Sequence, residues 1–126
     1  MQLSSVVTSI GRMPLEFKSR GNVSMMQLLA ESGYLATQSL ITVELLSAYF
    51  AEHPESINAW LLQSLDNRGS PSWYLQDPSA ANAQGKWVVG FYPGERREYF
   101  ERGEDACAVF VRNRLIQLSE YANVAS

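Results

Sequence analysis

Hydrophobic spacing changes character twice along the chain. Between Met25 and Leu65 apolar residues recur every three or four positions, the period of a helix with one buried face. From Trp73 to Phe100 they alternate with polar residues, the period of a strand, and after Gly103 the helical period returns. The first window predicts a short helix over Met25 to Glu31, with Met26, Leu29 and Ala30 on one side and Gly33 as its stop. Tyr34 to Leu40 reads as a connection. Thr42 is a good N-cap for a second helix bearing Val43, Leu46, Tyr49 and Phe50. Pro54 ends that helix and opens a third, where its missing N–H costs nothing; Ile57, Trp60, Leu61 and Leu65 form the stripe, and Asn67-Arg68-Gly69 ends it. Joined by His53-Pro54-Glu55, the two helices are expected to pack as an antiparallel pair.

The alternating window predicts three strands. Trp73 and Leu75 share one face of the first, with Tyr74 and Gln76 on the other. Asp77 to Gly85 is a long loop of small and turn-forming residues. The second strand sets Trp87, Val89 and Phe91 against Val88, Gly90 and Tyr92. Pro93-Gly94 suits the central pair of a type II turn, since proline presets φ and glycine accepts a positive one. The third strand, Arg96 to Phe100, alternates Arg96, Glu98 and Phe100 with Arg97 and Tyr99. The last helix starts near Gly103, has Glu104 and Asp105 at its positive end, and buries Cys107, Phe110, Val111, Leu115 and Leu118. The expected fold is α+β: N-terminal helices, a three-stranded antiparallel meander, and a C-terminal helix on the sheet.

Residues 1–24 follow neither period. Val6, Val7 and Ile10 suit a short strand or a helix edge, but Gly11, Pro14 and Gly21 interrupt any longer pattern. The segment reads as an N-terminal extension or arm on a single α+β domain over 25–126. The Met25-Met26 pair offers an alternative start of translation.

Charge separates the same two parts. The first 25 residues carry Arg12, Lys18 and Arg20 against Glu16, whereas the rest is acidic enough to bring the net charge to −3. An acidic body repels nucleic-acid phosphates and favours a basic partner. With one cysteine, Cys107, the chain has no internal disulfide, and no run reaches the roughly 20 apolar residues that span a bilayer. The chain reads as cytoplasmic, with no membrane partner.

Candidate chemistry is sparse. His53, the single histidine, precedes a proline between two helices, and a general base needs a nucleophile and an orienting group in reach. Cys107 falls on an apolar stripe and reads as a small buried hydrophobe. Glu101, Glu104 and Asp105 match no metal-ligand loop, and no glycine-rich phosphate cradle is present. Arg96-Arg97 is flanked by Glu95, Glu98 and Glu101 and reads as a solvated strand face. Stacking of bases on Tyr74, Tyr92 and Trp73 would need a basic groove. The expected chain is therefore not an enzyme, holds no cofactor or metal, and makes no direct nucleic-acid contact. What remains is a protein-binding surface. Tyr74, Tyr92 and Tyr99 share the sheet face opposite Trp73 and Trp87 if the strands pair in simple register.

The order Ile-Thr-Val-Glu-Leu-Leu…Trp-Leu…Asp-Asn-Arg-Gly-Ser-Pro-Ser-Trp-Tyr-Leu over 41–75, then Trp-Val-Val-Gly-Phe-Tyr-Pro-Gly over 87–94 and Phe…Ala-Cys-Ala-Val-Phe-Val over 100–111, resembles small bacterial immunity proteins. Those proteins neutralise the C-terminal toxin domains of contact-dependent growth inhibition and related polymorphic toxin systems. The resemblance covers about residues 26–120 and rests on packing motifs. It implies a cytoplasmic, non-enzymatic inhibitor that occludes the active site of a cognate toxin domain, many of which are nucleases with basic clefts. Tyr74, Asp77, Tyr92, Glu95, Glu98 and Glu101 form the candidate contact surface. The alternative is a structural or regulatory subunit, monomeric or homodimeric through a sheet edge or the exposed aromatics.

Overall fold

A computed structural model describes residues 2–66, 71–81, 83–94 and 96–125, with Asp66 and residues 121–125 described by backbone alone. The fold is α+β, with the elements in the order α1 (Leu3–Gly11), α2 (Met13–Arg20), α3 (Met25–Ser32), α4 (Tyr34–Thr37), a 3-10 turn (Gln38–Leu40), α5 (Val43–Glu52), α6 (Pro54–Asp66), β1 (Ser72–Gln76), β2 (Trp87–Tyr92), β3 (Arg97–Phe100) and α7 (Gly103–Ala125). The strands form one antiparallel sheet in the order β1-β2-β3.

Helix α7 is the centre of the packing. It lies between α5 on one side and strands β1 and β2 on the other. A helix pressed from two sides must be apolar over most of its circumference. Accordingly Ala106, Cys107, Ala108, Phe110, Val111, Leu115 and Leu118 are all buried. The small side chains at 106–108 let both layers approach the helix backbone. Trp60 of α6 meets Phe110 edge to face at 6.1 Å, which brings α6 into the same core. Ser47 of α5 donates to Asp105 in the first turn of α7 at 2.6 Å.

The N-terminal segment is part of this core. Residues 3–20, read from the sequence as an extension or arm, are two helices whose Val6, Ile10 and Met13 join the cluster of Leu29, Leu46, Phe50 and Leu115. The supposed breakers are boundaries. Gly11 ends α1, Pro14 sits in the first turn of α2, and Gly21 caps α2 in the left-handed region at φ 72°. A side chain at Gly11 would run into the Tyr49 ring, so α1 and α5 touch at that point. A product starting at Met25 would lack Val6, Ile10 and Met13.

Local signals in the middle of the chain act largely as the pattern predicts. Ser24 and Thr42 cap α3 and α5 through bonds from Gln27 N and Leu45 N, at 3.0 and 3.2 Å. Three details differ. In α3 Leu28 rather than Ala30 faces the core, alongside Leu29. Tyr34 to Leu40 is helical rather than a plain connection, and Tyr34 is buried. Helix α5 touches α6 but makes its more extensive contact with α7, where Ala106, Cys107 and Ala108 are buried. The Asn67-Arg68-Gly69 stop lies outside the described residues.

The two edges of the sheet differ. The outer edge of β1 is covered by α6: Leu75 N donates to Ser64 Oγ at 2.8 Å, and that hydroxyl donates to Leu75 O at 3.3 Å. A buried serine therefore satisfies both outward-facing backbone groups of one strand residue. Among the described residues β3 pairs with β2 alone, so its other edge is open. The turn from β2 toward β3 is not type II. The Tyr92–Pro93 peptide is cis, and Gly94 has φ 147° instead of the roughly 80° of that turn.

Candidate functional site

Register decides which side chains share a face. Trp73 pairs with Phe91, Leu75 with Val89 and Glu98, and Trp87 with Phe100. This face meets α7: Leu75 and Val89 are fully buried, and Trp73, Trp87 and Phe100 pack at the margin of the core. The opposite face is built from the rows Ser72–Tyr92, Tyr74–Gly90–Arg97 and Gln76–Val88–Tyr99. Tyr74, Tyr92 and Tyr99 thus lie together on the face that no helix covers, with Arg97 among them.

The centre of this open face is organised by an absence. Gly90 occupies the middle strand, where a glycine ordinarily weakens the sheet and marks a close approach by another group. A Cβ at Gly90 would collide with the Tyr74 ring and hydroxyl, with Cε2 2.8 Å away. The Tyr74 ring therefore lies across the glycine, and its hydroxyl reaches β3, where Arg97 Nε donates to it at 3.3 Å. The Tyr74 oxygen first, and the Tyr99 oxygen from within β3, raise the Arg97 pKa above its ordinary value. Arg97 is exposed and is the one charged side chain among the described residues in these three rows. None of the described carboxylates forms an ion pair with it.

The rims of the face differ. Tyr92 is 57 % and Tyr99 40 % exposed, large for residues that are half apolar ring. Val88, at the end where the connection from β1 to β2 leaves, is buried, as is Ala83 of that connection. The open area therefore runs from Tyr92 across Tyr74 and Arg97 to Tyr99.

The acidic candidates fall elsewhere. Asp77 uses its carboxylate to hold the turn after β1, accepting from Ser79 N at 3.0 Å and from the Ser79 hydroxyl. Glu98 pairs in register with Val89, on the side of the sheet that meets α7, where it is exposed at the β3 edge. Glu101 follows β3 and forms an exposed ion pair with Lys86 at 3.0 Å. Glu95 lies outside the described residues. Of the five candidates among the described residues, Tyr74 and Tyr92 therefore meet on the open face. The residues that complete it, Gly90, Arg97 and Tyr99, were visible as an alternation, but their grouping needed the register. Arg96 goes to the other side and sits over the Trp73 ring at 5.6 Å.

The residues weighed for catalysis are apart from this face. His53 ends α5, stacks on Tyr49 at 4.2 Å, and places Nδ1 3.2 Å from Glu55 Oε1. Cys107 is buried in α7, and burial pushes its thiol well above the ordinary value, so it is protonated near neutral pH. Among the described residues no three His, Cys, Asp or Glu side chains group as metal ligands, and no helix is long and apolar enough to cross a membrane. A groove of about 500 Å³ between α2 and α6 is lined by apolar Leu15, Phe17, Leu62 and Leu65 together with polar Lys18, Glu55, Asn58 and Gln63. No protein-family model, no curated protein and no solved structure matches the chain.

Proposed function

We propose that this chain is a non-enzymatic binding protein that acts through the open face of its sheet, and that its partner is a bacterial toxin domain whose active site it covers, as an immunity protein does. The observation that carries the binding reading is the row arrangement itself. Three tyrosines and an arginine, the residue types that dominate the energetic centres of interfaces, stand together on a face that the fold does not cover. Tyrosine suits this role because it supplies large contact area with two rotatable torsions and a polar tip. The buried, protonated Cys107 supports a non-enzymatic reading, since a thiol nucleophile acts as an accessible thiolate. The toxin and its activity enter through the resemblance of the packing motifs.

The test is growth rescue. The chain is co-expressed with candidate toxin domains, taken from the C-termini of any large secreted proteins found to be encoded next to it. Rescue by the chain, and its loss in a Tyr92→Ser/Tyr99→Ser variant of unchanged stability, is the expected result. No rescue removes the immunity reading.

A second reading rests on the uncovered β3 edge. A structural or regulatory subunit would pair β3 with β3 of a second copy, extending the sheet across a dimer. Sedimentation of the purified chain separates a dimer from a monomeric inhibitor.

A further inference from the structure

We infer that the open sheet face recognises an acidic protein segment, with Arg97 as its anchor and a partner carboxylate as the group it takes. This deepens the binding reading above and rests on it. It also reverses the charge expected from composition, since the net charge of −3 favours a basic partner.

The argument starts from the guanidinium. Arginine presents five N–H donors in a rigid planar fork. The Tyr74 hydroxyl engages Nε of Arg97 at 3.3 Å and fixes the plane of that fork at the middle of the face. The Tyr99 oxygen also bonds the Arg97 side chain, and the remaining N–H donors of the fork are left for a carboxylate, the planar acceptor that arginine holds in charge-assisted bonds. Gly90 makes this arrangement possible, because any side chain there would push Tyr74 off the line to Arg97. A long charged side chain fixed before the partner arrives loses less entropy when it binds.

Charge on the face points the same way. Three acidic candidates among the described residues are engaged or turned away: Asp77 with Ser79, Glu101 with Lys86, and Glu98 on the other side of the sheet. The three rows retain Arg97 as their charged group among the described residues, with phenol hydroxyls around it that also donate to carboxylates. Phosphate offers similar geometry, but a nucleic acid would have to approach a chain of net charge −3 with a single cation at the site.

The test follows the Arg97 Nε–H and the tyrosine ring signals by NMR on the full chain during titration with a hexaglutamate peptide, a hexalysine peptide and a short single-stranded DNA. Hexaglutamate should shift the Arg97, Tyr74 and Tyr99 signals, with binding that weakens as salt rises. Arg97→Gln should weaken it about tenfold or more, and Arg97→Lys should restore part of the loss, since lysine keeps the charge without the fork. Absence of hexaglutamate shifts, hexaglutamate binding that survives Arg97→Gln unchanged, a hexalysine response on these residues, or tighter binding of DNA would each overturn the inference. Growth rescue that still depends on Tyr92 and Tyr99 while hexaglutamate fails would leave the face as the binding surface and remove only the acidic partner.

Discussion

The two faces of this sheet are made from the same strands and carry similar amounts of aromatic side chain, yet they serve opposite ends. On the covered face Trp73, Leu75, Trp87, Val89 and Phe100 lose their water to α7. On the open face Tyr92 and Tyr99 stay exposed, and the half-buried Tyr74 accepts from Arg97 through its hydroxyl. The chemical difference is a polar tip. Each ring on the open face can stay wet without a large cost and can still bury its body against a partner. The covered face determines whether the chain folds, and the open face is free to be selected for something else.

The comparison can be broken most severely at Leu75. It is fully buried between β1 and α7, so Leu75→Ala should cost about 2–5 kcal/mol in urea unfolding. A cost comparable to that of a surface substitution would mean the covered face is not where the core lies. Gly90→Ala comes next, because its Cβ would displace the Tyr74 ring. The expected cost is about 1–3 kcal/mol, and much of it should vanish in the Gly90→Ala/Tyr74→Ala double variant. Additive effects would show that the glycine and the ring are not coupled.

Cys107 gives a pH test of the covered side. Burial raises the folded thiol above its ordinary 9.0, so above that value the unfolded chain releases a proton that the folded chain keeps. The associated stability is complete below pH 9 and lost above it, with a slope up to about 1.4 kcal/mol per pH unit. Cys107→Ala should remove that component from the difference between urea curves at pH 8 and pH 10. The smallest effect belongs to the open face: Tyr92→Ser should move stability by about 0.5 kcal/mol or less, within the range of surface substitutions.

How much of this was legible in the sequence follows from how local each signal is. The strands, their alternation, the Thr42 cap and the α7 stripe are properties of neighbouring residues, and they were readable. Helices α1 and α2 were not, because Gly11, Pro14 and Gly21 at or near their ends read as interruptions of one pattern rather than as boundaries of two short helices. Their stability comes from packing on α5 and α6, which no local pattern records. The grouping of the candidate surface was only partly legible, for a related reason. Tyr74 and Tyr92 were grouped with nearby acids by sequence distance, while the pleat sends Glu98 to the other side and turn chemistry occupies Asp77. Gly90 read as one position in the alternation of the second strand, and the ring that crosses it, Tyr74, is set by cross-strand register.

The central claim is that the open face binds and the covered face folds, and one paired measurement addresses both halves. The dissociation constant of the partner recovered with the full chain, under the proposal a toxin domain, would be determined for the wild type and for Tyr92→Ser/Arg97→Gln, with urea curves recorded on the same samples. The account predicts an affinity loss of about a hundredfold or more, in the range of interface centres, at a stability unchanged to within about 0.5 kcal/mol. Equal affinities at equal stability would contradict it and place the binding surface elsewhere on the molecule.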